Sequence, residues 1–173
     1  MTLPESLKVH SLLWSAATAL VPLRSKHFLP NEPGGWEASW FTPGEAAFPR
    51  YAAGPLDFGL SICTELWALE NYASYAALGI HAILSPRASA AQTTAKWLAV
   101  GTVAAVRSGA YSLSSNRLHA YGSCGGVGWI ISPDGELLAR TSPGQPFATQ
   151  DIDIAQAVAA RGTYPRYVFA SSS

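Results

Sequence analysis

From residue 58 onward, apolar positions fall into runs that alternate between strand and helix spacing. Residues 58–62, Phe-Gly-Leu-Ser-Ile, make a short apolar strand. Beyond it, Leu66, Leu69, Ala73, Ala76 and Ile80 recur at helical spacing, which predicts a helix over 64–79 stopped by Gly79. Residues 81–85 read as a second strand that Pro86 ends. A second helix is expected over 90–107, with Trp97, Val100, Ala104 and Val106 among its apolar positions. Ser108-Gly109 breaks it, and 110–115 forms a third strand. This order of strand, helix, strand, helix, strand predicts parallel strands joined by right-handed crossovers.

The pattern then changes. Residues 125–132 and 136–141 read as two strands around a turn at Pro133-Asp-Gly135. One more strand is expected at 147–153, a short helix at 154–161, and a frayed tail at 170–173. The first fifty-odd residues carry fewer regular signals, and 30–35 reads as a long loop. No linker divides the chain, so residues 1–173 are expected to form a single domain. The apolar run at 11–22 has the look of a signal-peptide core. Its flanks carry Glu5 as well as Lys8, and no clear cleavage site follows. It is too short to span a membrane, and the chain is expected to be cytoplasmic.

Composition narrows the options. Apolar residues make up 49% of the chain and charged residues 13%, so much surface is hidden in a core or in contacts between subunits. The formal net charge is zero, which gives no electrostatic case for nucleic acid or an anionic membrane. Neither cysteine sits in a CxxC pattern, and the four histidines lack ligand spacing. No metal is expected.

The candidate chemistry centres on Cys63, at the junction of the first strand and first helix. Such a turn lifts the sulfur out of the sheet, and the unpaired amides of the first helical turn favour a thiolate. Taken alone, the residue reads more readily as a buried core cysteine than as a nucleophile. Upstream, residues 24–44 concentrate Lys26, His27, Glu32 and Glu37 among Trp36, Trp40 and Phe41, the composition of a loop-rich site lining. Arg87 follows the second strand, at the end of a parallel sheet where ligands bind. It suits either a substrate carboxylate or a structural salt bridge. Glu65 reads as a helix-dipole charge or a site residue. Lys26 and His27 are adjacent in an extended segment and should point to opposite faces, so both cannot serve one site.

Five pieces in order resemble the nitrilase, or carbon-nitrogen hydrolase, superfamily. Lys26-His-Phe-Leu-Pro30 resembles its lysine motif, and Glu37-Ala-Ser-Trp-Phe-Thr-Pro-Gly44 the segment after it. Gly59-Leu-Ser-Ile-Cys-Thr-Glu65 resembles the nucleophile motif. Ser114-Ser-Asn-Arg117, the glycine-rich 125–136 stretch and Ala148-Thr-Gln-Asp-Ile-Asp153 resemble its C-terminal strands. The match covers about residues 24–165. It implies an α/β fold, a nitrilase-like four-layer α-β-β-α sandwich. It implies hydrolysis of an amide or nitrile to a carboxylic acid through a cysteine thioester-type intermediate, with no metal or organic cofactor. Cys63 would attack, Lys26 and the backbone amide of Thr64 would stabilise the tetrahedral intermediate, and Glu37 would support the site. Thr64, Glu65 and Arg87 are the candidate substrate contacts. The expected partners are a small-molecule amide or nitrile and further copies of the chain in a homo-oligomer.

Family members also use a glutamate general base far upstream of the lysine. Only twenty-five residues precede Lys26, so the domain is expected to be N-terminally truncated. Glu5 sits in a Pro-Glu setting but at the wrong distance from Lys26 to take that role. Two other readings remain open: a catalytically inactive fragment, and a Cys-dependent hydrolase with a histidine base.

Overall fold

The computed structural model describes residues 7–17, 19–33, 35–119 and 123–170. Glu5, Thr18 of the 11–22 run, and the 171–173 part of the tail lie outside the described residues. The chain divides into two compact units, Met1–Ala47 and Phe48–Ser173.

In the first unit, strands β1 (His10–Ser15) and β2 (Ala19–Ser25) pair antiparallel as a hairpin. The 11–22 run is therefore the body of this hairpin. Its side chains alternate between half-buried and exposed along β1, the period-2 pattern of a strand. After β2 the chain stays extended. The Lys26 N–H donates to the Val9 carbonyl at 2.8 Å, and the Lys26 carbonyl accepts from the Gly44 N–H at 2.8 Å. A single helical turn, α1 (Glu37–Trp40), follows the loop.

The second unit is built on a six-stranded mixed sheet in the order β3 (Tyr51–Ala53), β4 (Leu56–Leu60), β5 (Ala82–Arg87), β6 (Tyr111–Asn116), β7 (Trp129–Ile131) and β8 (Leu137–Arg140). The three central strands, β4, β5 and β6, are parallel, as the alternation of strand and helix signals predicts. The crossovers are α2 (Asn71–Leu78) and α3 (Thr94–Ser108), each ended by a glycine in the left-handed region, Gly79 and Gly109. Tyr72 and Tyr75 of α2 and Val100, Ala104 and Ala105 of α3 form one core with Ile83, Trp129 and Ile131 of the sheet. Helices α4 (Ile154–Ala160) and α5 (Arg166–Ala170) complete the unit.

Four local expectations are corrected. Pro86 does not end β5; it pairs in register with Ser115. The Leu84 carbonyl accepts from the Ser61 N–H, so Pro86, two residues on, faces the same side. Strand β4 has ended there, and no ladder bond needs the missing N–H. The helix expected over 64–79 is split into a 3-10 turn, Cys63–Trp67, and α2. Leu66 is buried beneath the Tyr72 hydroxyl, which donates to its carbonyl, while Leu69 is left exposed. Residues 147–153 form no strand; they run along the surface with Phe147 85% exposed. Regular pairing of the 125–132 segment is confined to Trp129–Ile131, with Gly125 making only an isolated bridge to Leu118.

Candidate active site

Cys63 stands where β4 leaves the sheet. Its φ is 51°, in the left-handed region that non-glycine residues rarely occupy. That conformation turns the chain from extended strand into the 3-10 turn within one residue. The first bond of the turn runs from the Glu65 N–H to the Ile62 carbonyl at 3.2 Å. The amides of Cys63 and Thr64 precede it, in the position of helical N–H groups without an intrahelical partner. Glu65 is fully buried, and its Oε2 accepts from the Ile62 N–H at 2.8 Å. The carboxylate thus folds back over the turn and fixes the backbone on both sides of Cys63.

The glycine of the motif has a packing reason. A Cβ on Gly59 would lie 2.5 Å from Cε1 of Tyr75. The Tyr75 ring crosses β4 at that point, and its hydroxyl donates to the Leu60 carbonyl at 2.7 Å. The tyrosine that anchors α2 therefore requires a bare backbone four residues before the cysteine.

Arg87 is buried, with 6% of its surface exposed. Its Nε donates to the Ser114 hydroxyl at 2.7 Å, one terminal nitrogen to the Ser89 hydroxyl at 2.6 Å, and the other to the Val127 carbonyl at 2.8 Å. The guanidinium lies over Trp129 at 4.1 Å and over Trp97 at 5.1 Å. Trp97 in turn meets Trp67 of the 3-10 turn edge to face at 5.4 Å. Among the described residues, no carboxylate pairs with Arg87. Burial lowers its pKa to about 10, and the charge of Cys63 pulls the other way. Ser89, Trp97, Ser114 and Trp129 were not candidates for the site in the sequence, where Trp97 read as an apolar helix position and Ser114 as part of a strand motif. Their signal was weak: serines on alternate positions of Tyr-Ser-Leu-Ser-Ser-Asn, facing the helices that cover the sheet.

In the first unit, Lys26 is buried and its Nζ donates to Oε2 of Glu37 at 2.6 Å. The geometry brings this lysine and glutamate together. His27 is turned to a different partner, with Nδ1 bonded to the Gly44 carbonyl at 2.8 Å. Cys63 and Cys124 are both free thiols. Among the described residues, no group of three or more His, Cys, Asp or Glu is arranged to hold a metal ion. No helix among them is long and apolar enough to cross a membrane.

Several solved structures share the fold. A carbon-nitrogen hydrolase from Helicobacter pylori G27 is 19% identical with a TM-score of 0.79, over 92% of this chain and 61% of its own. A CN-hydrolase superfamily protein from Xanthomonas campestris, with an arsenic adduct in its active site, is 13% identical with a TM-score of 0.78. That likeness covers 98% of this chain and 66% of the other. An amidase variant from Nesterenkonia sp. AN1, in complex with acrylamide, is 21% identical with a TM-score of 0.68, covering 77% of this chain and 50% of its own. The chain thus spans less than two thirds of the length of these structures. No relative matches among curated proteins. The α/β class and the nitrilase-like fold follow from the sheet, its crossover helices and these likenesses. A sequence profile described as carbon-nitrogen hydrolase matches residues 10–162, a span that takes in the lysine segment, the cysteine turn and every strand of the sheet, and the chain belongs to the carbon-nitrogen hydrolase family.

Proposed function

We propose that the chain hydrolyses non-peptide carbon–nitrogen bonds, amides in preference to nitriles, through a thioester on Cys63. The observation that carries this reading is the backbone of Cys63, held at φ 51° at the end of β4 and followed by first-turn amides. A strained residue at a strand-to-helix junction is a form in which folds present nucleophiles. In a variant of the Nesterenkonia amidase, acrylamide has added to the active-site cysteine by Michael addition, and the name amidase supports amides as the substrate class here.

The sulfur attacks the carbonyl carbon, a C–S bond forms, and an electron pair moves to oxygen. The carbonyl then re-forms, the C–N bond breaks, and the nitrogen leaves with a proton as ammonia or amine. Water attacks the thioester, the C–S bond breaks, and the acid departs. By its motif, Lys26 is assigned to the charge on the developing oxyanion, together with the Thr64 amide. Glu37 holds the lysine through the 2.6 Å pair. Glu65 holds the turn. No residue of this chain is assigned the general-base role that a glutamate upstream of the lysine takes in the family. The small-molecule amide and homo-oligomeric assembly belong to the same proposal.

Ammonia release from a panel of short aliphatic amides and nitriles tests the reading. Turnover of an amide that Cys63→Ala abolishes and Cys124→Ala leaves intact supports it. Turnover that survives Cys63→Ala overturns it, and so does a full chain inert toward the whole panel.

A further inference from the structure

We propose that Arg87 is a positioning residue whose fixed guanidinium holds negative charge at the sulfur of Cys63. The inference rests on Cys63 being the nucleophile. Strands β4 and β5 are parallel, with Leu60 opposite Leu84. Past that pair the chain still follows β5 for one residue: the Ser61 N–H donates to the Leu84 carbonyl and the Ser85 hydroxyl to the Ser61 carbonyl, and Cys63 opens the turn two residues later, while β5 runs on to Arg87. The 3-10 turn that begins at Cys63 packs against β5. Arg87 shares the helix-covered face of β5 with Ile83 and Ser85, since alternate residues point the same way.

The guanidinium is built in rather than offered to solvent. Two hydroxyls and one carbonyl hold its three nitrogens, and two indoles lie against it. All these partners are neutral. A buried cation with only neutral partners keeps its charge at a cost, and a nearby anion removes that cost. A negative charge on Cys63, in the turn packed on β5, would favour the charged guanidinium against its burial. The packed elements carry few other titratable groups toward this face. Glu65 on the turn is engaged by the Ile62 amide. Tyr72 and Tyr75 on α2 donate to the carbonyls of Leu66 and Leu60. The nearby polar groups of β6 are Ser114 and Asn116, the latter bonded to the backbone of Ser89, and α3 presents Trp97. With its fork and faces taken, Arg87 is poorly placed to grip a substrate carboxylate in two-pronged fashion, yet well placed to act on its neighbour as a rigid charge.

Alkylation by neutral iodoacetamide, followed at Cys63 and Cys124 by peptide mass mapping across pH 5–10, tests this. In Arg87→Met, the pH of half-maximal alkylation at Cys63 is expected to move up by about one unit or more, with the high-pH plateau unchanged. At pH 7 that corresponds to a loss of roughly tenfold in rate. Arg87→Lys should keep most of the wild-type profile. Ser114→Ala, which retains the charge but frees Nε, should give a smaller shift in the same direction, and it serves if Arg87→Met does not fold. Superimposable profiles for the variant and the wild type overturn the inference. So does an unchanged profile with KM raised only for carboxylate-bearing amides, which would give Arg87 a substrate role instead. If wild-type Cys63 reacts no faster than Cys124, the nucleophile reading itself fails. If Cys63 reacts fast and Arg87 variants do not alter its profile, only the role of Arg87 fails.

Discussion

Replacing Cys63 by glycine is expected to give a more stable protein than replacing it by alanine. Both variants remove the sulfur, so lost side-chain contacts cancel between them. What remains is the backbone at φ 51°. A residue with a Cβ in the left-handed region costs roughly 1–2 kcal/mol, and glycine pays none of this. Glycine loses more chain entropy on folding, about 0.5–1 kcal/mol. The difference leaves Cys63→Gly about 1 kcal/mol more stable than Cys63→Ala. With a urea slope of about 2 kcal/mol per molar, the midpoints should differ by roughly 0.5 M. Ala73, exposed on α2 in ordinary helical conformation, supplies the control. There Ala→Gly should cost about 1 kcal/mol, the opposite sign. Urea titration followed by tryptophan fluorescence and circular dichroism measures both. A Cys63→Gly variant equal to or less stable than Cys63→Ala would refute the strained turn.

Two more outcomes follow from the packing around that turn. Gly59→Ala forces a Cβ to within 2.5 Å of the Tyr75 ring and should cost about 2–4 kcal/mol, from overpacking and a displaced hydroxyl bond to Leu60. In a Tyr75→Leu background the same change should cost far less, and additive denaturation free energies would reject the clash. Burial raises the Tyr72 hydroxyl above the ordinary tyrosine value, with the charges of Tyr75 and Glu70 adding to it. Above about pH 10 the unfolded tyrosine gives up its proton while the folded one keeps it, so stability falls as pH rises. Stability against pH should therefore slope less steeply in Tyr72→Phe; parallel curves from pH 9 to 11 would contradict this. The lowered pKa of Arg87 acts in the opposite direction, but it is common to both proteins and cancels in the comparison.

The parts of the fold legible in the sequence are those set by local pattern. Phe58, Leu60 and Ile62 marked β4, Gly79 and Gly109 marked the helix ends, and the Pro133-Asp-Gly135 turn marked the β7–β8 connection. The hairpin at 10–25 was missed because an apolar, alanine-containing run with Pro22 inside it resembles a leader segment more than two short strands. The split of the first helix depends on Leu66 and Tyr72 meeting across a turn, which no periodicity records. Pro86 sits in a strand because β4 stops early, a fact of neighbouring strand lengths. At the candidate site, Cys63, Lys26 and Glu37 came from motif order, and the Lys26–Glu37 pair is present in the structure. The surroundings of Arg87 were not legible. They join β5, β6, α3 and the Val127 loop, which are brought together only by the parallel crossovers.

The most direct test of the account is to trap the intermediate. The full-length chain is mixed with a short aliphatic amide, quenched in acid within seconds, and weighed intact by mass spectrometry before peptide mapping. The account predicts an added mass equal to the amide less ammonia, located on Cys63 and absent from Cys63→Ala. Steady turnover with no adduct on Cys63 under any quench time, or an adduct carried by Cys124 instead, would contradict it.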